Sequence, residues 1–249
     1  MTLKVRGLTK AFGGVRAVED VSFSLAAGEL LALIGPNGAG KTTCFNMLNG
    51  QLRPDAGSVR FEDNELVGLA PRQVWRRGVG RTFQITATFG SMTVRENVQC
   101  ALISHHGRGL SLFRRAAGLY VDQADALLAR VGMADQADRA CSILAYGDLK
   151  RLELAVALAN TPRLLLMDEP TAGMAPRERV ELMALTAEIV AERGIAVLFT
   201  EHDMDVVFGH AHRILVLDRG SLIAAGPPRA VRADPAVQAV YLGTASGDA

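Results

Sequence analysis

Apolar positions recur along the chain with two different periods. Near the N-terminus the period is two. Leu3, Val5 and Leu8 open one strand, and Val21, Phe23 and Leu25 alternate with polar residues, as in a strand buried on one face. Leu30 to Ile34 is apolar throughout, which predicts a strand covered on both faces. A glycine-rich loop at 35–40 follows, then a helix from Lys41 to about Asn49. Gly57 to Phe61, behind Pro54 and Asp55, predicts another strand. Residues 71–106 are expected to mix turns and short helices. From about 111 to 160 the pattern becomes helical: Val121, Ala124, Leu127, Leu128 and Val131 share one face, and a second helix is expected from Gly147 to Asn160. Leu164 to Met167 is again a buried-strand run. A helix over 176–193 separates it from the apolar run Ile195 to Phe199, so these two strands are expected to pair in parallel through a right-handed crossover. Arg213 to Leu217 and Ser221 to Ala225 predict a late strand pair turned at Gly220. Thr244 to Ala249 are small and polar, and are expected to fray.

The order of elements gives an α/β core of residues 1–90 and 161–249, with a helical lobe of about 91–160 inserted. The length of 249 residues suits one large domain or a core with a lobe. Apolar residues make up 49% and charged residues 21%, a globular balance. A net charge of +1 and 5% aromatics offer neither the field nor the stacking surface that a nucleic-acid partner needs. The basic pairs Arg76-Arg77 and Arg114-Arg115 fall short of a basic run, and read as solvated faces or as contacts to a membrane partner. Cys44, Cys100 and Cys141 form no C-x-x-C pair, so they read as isolated buried thiols in a reducing compartment. No apolar run approaches the ~18 residues of a membrane span, and no apolar signal segment follows the first charges. The chain is therefore expected to remain where it is made.

Candidate chemistry begins at Gly35-Pro36-Asn37-Gly38-Ala39-Gly40-Lys41-Thr42. This segment matches G-x-x-x-x-G-K-S/T and lies between a buried strand and a helix, the context that the pattern requires. Its glycines let main-chain N–H groups curl around phosphates, and the helix N-terminus adds partial positive charge. Lys41 would reach the β- and γ-phosphates, and the Thr42 hydroxyl would hold Mg²⁺. The strand Leu164 to Met167 ends in Asp168-Glu169, which delivers two carboxylates beside that loop. Asp168 suits a Mg²⁺ contact, and Glu169 suits general-base activation of water.

Phosphate loops serve many enzymes, so a third segment decides among them. Leu144-Ala145-Tyr146-Gly147-Asp148, at the start of a helix shortly before the Asp-Glu strand, resembles the signature motif of ABC ATPases. Other landmarks of that family follow in order. Gln84 in Arg81-Thr82-Phe83-Gln84 looks like the glutamine that senses Mg²⁺ or water. His202 in Thr200-Glu201-His202-Asp203 looks like the switch histidine, and Phe12 before Gly13-Gly14 stands where adenine is stacked. The resemblance covers essentially the whole chain. It implies a P-loop core of ABC ATPase type with an N-terminal antiparallel β subdomain and an inserted helical signature lobe. Within the family, Phe12-Gly13-Gly14, Gly80 to Gln84, Met92 to Val98 and Val240 to Gly243 resemble the LivG-like branch, which serves branched-chain amino acid importers.

What the resemblance implies is an ATPase that hydrolyses MgATP at the interface of a head-to-tail dimer. Each composite site takes Gly35 to Thr43, Gln84, Asp168, Glu169 and His202 from one chain, and Leu144 to Asp148 from the other; Thr42, Gln84 and Asp168 would hold Mg²⁺. The implied partners are transmembrane permease subunits, a second ABC ATPase subunit (a copy or a relative) and, indirectly, a periplasmic solute-binding protein. The implied place is the cytoplasmic face of the inner membrane. An export system, a soluble ABC ATPase outside transport and a sensor without turnover are the alternatives. Glu169 and His202 argue against the sensor, and the lack of a tandem cassette argues against the soluble ATPase. Some residues carry two readings. Phe12 is an adenine platform or a core ring, and the Gly-Gly after it favours the platform. Val18 packs behind that ring or simply fills the core. Glu201 and Asp203 are expected to be solvated, and His105 and His106 to be loop residues. Three positions depart from the family pattern: Ala145 stands where serine is common, Asp148 where glutamine is common, and Ala175 where an aspartate usually follows the catalytic strand.

Overall fold

The computed structural model describes residues 2–82, 88–107 and 118–244. Two sheets organise it. The first is antiparallel, in the order β2–β1–β4–β5, built from β1 (Leu3–Phe12), β2 (Val15–Leu25), β4 (Ala56–Phe61) and β5 (Asn64–Glu65). The second has the order β10–β9–β3–β8–β7–β6. Its members are β3 (Leu30–Ile34), β6 (Val79–Thr82), β7 (Leu164–Asp168), β8 (Ala196–Thr200), β9 (Arg213–Asp218) and β10 (Ser221–Gly226). All its pairings are parallel except β9 with β10.

The continuous apolar runs are explained by what covers them. Along β3, Leu30, Ala32 and Ile34 enter one core cluster, while Leu31 and Leu33 enter another. Side chains alternate across a strand, so a run without polar residues marks a strand with protein on both faces. One cluster joins the sheet to the helices α3 (Val94–His105), α4 (Val121–Arg130), α5 (Tyr146–Leu158) and α6 (Pro176–Arg193). The other joins it to α1 (Lys41–Leu48) and to the antiparallel sheet. Short helices α2 (Pro71–Arg76) and α7 (Met204–His210) connect strands, and α8 (Pro228–Ala233) and α9 (Pro235–Thr244) close the chain.

The structure corrects the reading of residues 71–106. The short helix α2 and the turns are there as expected, but a parallel strand, β6, and a three-turn helix, α3, stand among them. Val79-Gly80-Arg81-Thr82 has too few apolar residues to announce a strand, because it lies at the sheet edge. α3 did carry a signal: Thr93 accepts from Glu96 N at 3.2 Å and Glu96 returns a bond to Thr93 N at 2.8 Å, a reciprocal cap. His105 belongs to this helix and His106 caps its end; the His106 ring stacks on Tyr120. Cys44 and Cys141 are buried and Cys100 half-buried, all as free thiols, and burial pushes Cys44 up to about 12. The pair Arg114-Arg115 and the tail beyond Thr244 lie outside the described residues. No helix of the described residues is long and apolar enough to cross a membrane.

Candidate functional site

The phosphate loop joins β3 to α1, and its shape is set by close main-chain approaches. A Cβ at Gly35 would fall 2.2 Å from Leu217 O, and one at Gly40 would fall 2.3 Å from Ala17 O, so neither position admits a side chain. Gly35 and Ala39 are buried, Pro36 and Gly40 half-buried, and Asn37 and Gly38 exposed. The Lys41 ammonium donates to Gly35 O at 2.7 Å and to Pro36 O at 3.1 Å, which holds it over the loop. Burial lowers the Lys41 pKa, and the negative charges of Glu169 and Asp168 oppose that effect. Thr42 is exposed and Thr43 half-buried in the first turn of α1.

The two carboxylates sit at the C-terminal end of β7. Asp168 is 6% exposed, and its cross-strand neighbour on β8 is Thr200. The Thr200 hydroxyl donates to Asp168 Oδ1 at 2.8 Å, and Arg81 Nη2 of β6 lies 3.4 Å from Asp168 Oδ2. Arg81 also donates to Asn46 at 3.1 Å and Gln51 at 2.9 Å; its burial lowers its pKa, against the pull of Asp168. Glu169 takes a left-handed backbone, φ 47°, which costs a non-glycine residue ~1–3 kcal/mol. Its N–H donates to both Thr200 Oγ1 (3.0 Å) and Thr200 O (3.2 Å). Net bonds of ~1 kcal/mol each are of the size needed to offset that strain, and the turn aims the Glu169 side chain out of the sheet. There, Glu169 Oε1 lies 2.8 Å from His202 Nε2. Strand ends thus bring Lys41, Asp168, Glu169 and His202 to one edge of the sheet.

Phe12 is the last residue of β1 and pairs with Val15 across a tight turn at Gly13-Gly14; its ring is 49% exposed. Val18 is fully buried and belongs to the core beneath the phosphate loop, close to Gly40. Gln84 lies outside the described residues. The signature segment is a bare helix N-terminus. Ala145 caps α5 without a side-chain hydrogen bond, and Asp148 stands in its first turn. Ala145 and Tyr146 are exposed, Leu144 and Asp148 half-buried, and Gly147 buried. Gly147 lies so close to the Glu178 carboxylate that a Cβ would meet it at 3.0 Å.

The expectation that Glu201 is solvated is overturned, while the Asp203 side chain remains 26% exposed. Glu201 is 4% exposed and accepts from Thr171 N and Thr171 Oγ1. Asp203 caps α7 through Asp205 N and Val206 N and pairs with Arg179 at 2.6 Å; that guanidinium holds its carboxyl below the usual range. Both serve main-chain groups that the surrounding turns leave without partners, which an alternation pattern does not reveal. Sequence reasoning also passed over Arg81 and Thr200. Thr200 had a signal, a polar residue closing an apolar run; Arg81 had none. A cavity of about 500 Å³ opens beside the loop, lined by Pro36 to Ala39, Asp218, Arg219 and the α9 residues Ala239 and Val240. The neighbouring Tyr241 hydroxyl is pushed up to about 12 by burial, and the Gly35 main chain opposes that shift.

A family described as ABC transporter matches residues 18–172. One described as branched-chain amino acid ATP-binding cassette transporter matches residues 221–246. The high-affinity branched-chain amino acid transport ATP-binding protein LivG of Salmonella typhimurium is 42% identical, across 98% of this chain and 98% of its own. BraF of Pseudomonas aeruginosa, of the same description, is 38% identical with the same coverage. Among solved structures, the ADP conformation of an ATP-binding cassette superposes with a TM-score of 0.86 at 31% identity, covering 97% of this chain and 98% of that one. A nucleotide-free cassette gives a TM-score of 0.85 at 30% identity, covering 96% and 98%.

Proposed function

The chain belongs to the ABC transporter family of ATP-binding subunits, and from that premise we propose that it powers the import of branched-chain amino acids or related small polar solutes. As a cassette of this family it is an ATPase that drives transport. One observation supports the substrate class. Residues 221–246, which lie outside the motifs common to ABC ATPases, match the branched-chain amino acid cassettes.

The proposed chemistry rests on the edge where β3, β7 and β8 end. Lys41 and the N–H groups at the start of α1 meet phosphate charge. Glu169 accepts a hydrogen bond from the attacking water and takes its proton on a carboxylate oxygen. His202 holds the Glu169 carboxylate at 2.8 Å; turning its imidazole N–H toward the terminal phosphate exchanges that charge-assisted bond for another and frees Glu169 for the water. Phe12, exposed at the hairpin tip, is the proposed adenine platform. Val18, without exposed surface, keeps the core reading. The donors at Thr42 and Asp168 are all oxygens, one of them a carboxylate oriented by Thr200, and they fit Mg²⁺. When bound, the ion supplies charge neutralisation at the phosphates. Gln84 is proposed as a further contact to it.

The second half of each site is the signature segment of an opposing ATPase, a copy or a relative. The proposed assembly adds two transmembrane permease subunits and a periplasmic solute-binding protein, with this subunit on the cytoplasmic face of the inner membrane. The test is reconstitution with the permease in vesicles. ATP hydrolysis should rise, and labelled leucine should enter, when leucine-loaded binding protein is supplied. Stimulation only by a solute outside branched-chain amino acids and related small polar solutes overturns the substrate class, and outward movement overturns import.

A further inference from the structure

Glu201 is a carboxylate with almost no exposed surface, immediately before His202 and outside the proposed chemistry. Its two oxygens grip two different stretches of main chain. Oε1 accepts from Thr171 N at 2.8 Å and from Thr171 Oγ1 at 2.7 Å. Oε2 accepts from His202 N at 3.2 Å. Thr171 is itself buried and sits two residues beyond Glu169, in a turn closed by Ala172 N to Glu169 O at 3.1 Å and Met174 N to Thr171 O at 3.1 Å. The side chains that emerge on the other side of these two stretches are Glu169 and His202, 2.8 Å apart. A buried carboxylate is expensive unless its lone pairs are satisfied, and here three donors satisfy it, all from the two segments that carry the reacting pair.

We propose that Glu201 is a positioning residue for hydrolysis: it ties the turn after Glu169 to the main chain of His202 and so fixes the distance between the two side chains. This inference rests on the proposed roles of Glu169 and His202. Thr200 holds the pair from the strand side, through Glu169 N; Glu201 holds it from the turn side. Neither Glu201 nor Thr171 has exposed surface to offer a nucleotide, so the effect should fall on turnover and not on ATP capture.

The test measures steady-state ATP hydrolysis in the assembled transporter for Glu201→Ala, Thr171→Val, Thr171→Ser and the Glu201→Ala/Thr171→Val double variant. Glu201→Ala and Thr171→Val should each lower kcat by about 10-fold or more, because small misplacement at a reacting pair is costly. The KM for ATP should stay within about 2-fold, as expected where ground-state binding is untouched. Thr171→Ser, which keeps the hydroxyl, should restore most of the rate. The double variant should be no slower than Glu201→Ala alone, since both remove one link. Wild-type kcat in folded Thr171→Val, a raised KM with unchanged kcat, or multiplicative losses in the double variant would overturn the proposal. Thr171→Val and Thr171→Ser decide it even if Glu201→Ala does not fold. Glu169→Gln is run alongside. If it hydrolyses ATP as fast as wild type, the assignment of Glu169 fails, and that result is distinct from any behaviour of the Glu201 variants.

Discussion

The phosphate-loop end and the signature end of this chain are both helix N-termini, yet they are built in opposite ways. At α1 the helix dipole is only the background. Lys41 adds a full charge, and Asp168, Glu169 and His202 arrive from strand ends that are covered on both faces. Each of these groups is held by at least one neighbour: Lys41 by loop carbonyls, Asp168 by Thr200 and Arg81, Glu169 by Thr200 and His202. At α5 the side chains contribute almost nothing. Ala145 has no hydroxyl to offer, and Asp148 sets a negative charge in the first turn. That charge suits the helix itself, by ~0.3–1 kcal/mol through the dipole. It opposes an anion approaching the same N-terminus, where a charge-assisted hydrogen bond would be worth ~1.5–3 kcal/mol. The larger figure is the one forgone, so on the proposed reading the signature end favours a stable subunit more than a tight grip on nucleotide. In the proposed composite site, one half would therefore carry the chemistry, and the other half would present mainly main-chain groups.

The sharpest way to break this comparison is to remove the chemistry from the well-built half. Glu169→Gln should lower turnover by ~10²–10⁴-fold while ATP still binds, since the amide keeps the shape but cannot take a proton. It should also hold a closed ATP-bound dimer. Phosphate release and ATP binding measured on the same preparation check both; near-normal turnover would remove Glu169 from the role. Lys41→Ala comes next. It deletes the cation of the loop, a group worth ~1.5–3 kcal/mol in charge-assisted bonds, and should weaken ATP by about 10–100-fold. Titration with a fluorescent ATP analogue reads it. An unchanged affinity would mean that main-chain N–H groups dominate at this end too, and the contrast between the two helices would collapse.

Most of the well-built half was legible in the sequence because its elements are buried on both sides. An apolar run such as Leu164 to Met167 has one reading, and whatever follows it stands at the sheet's edge. β6 escaped because an edge strand needs few apolar residues, and Arg81 escaped with it. Glu201 was misread for the opposite reason. Carboxylates beside a histidine usually face water, and nothing in the local pattern shows that a turn thirty residues away supplies the donors that bury it. Phe12 stands at the end of a strand and is nevertheless exposed, because Gly13-Gly14 turns the chain at once. The signature segment is a surface helix start, and only the resemblance to a family singled it out; its local sequence has no buried run to mark it.

A gain-of-function change tests the weaker half. Ala145→Ser with Asp148→Gln restores a hydroxyl and removes a negative charge, so each opposing site should gain about 10–100-fold in closure around ATP. The isolated wild-type chain should be mostly monomeric and slow, and the double variant should shift toward an ATP-dependent dimer. Sizing chromatography with MgATP in the Glu169→Gln background shows it. A wild-type chain that already dimerises tightly there, with no gain from the two changes, ends the argument that these departures matter.

The smallest expected effect concerns Phe12, and it separates the base from the phosphates within the well-built half. Its ring is 49% exposed at a hairpin tip, with the Lys10 ammonium 5.6 Å from its centroid, so it packs into no core that its removal would collapse. Lys10 is in turn anchored by Asp55 at 2.6 Å, which keeps the charge near the ring when no base is there. Stacking is worth ~1–3 kcal/mol per base and reads only the π-face. Phe12→Ala should therefore weaken ATP and GTP alike, by a few-fold to some tens of fold on that scale, and leave turnover at saturating nucleotide close to wild type. Phe12→Trp should keep or improve both affinities. Two nucleotides measured against the wild type and these two variants give the answer: a loss confined to ATP would require a contact to the base edge, and unchanged affinities in Phe12→Ala would leave the ring without a part in nucleotide binding.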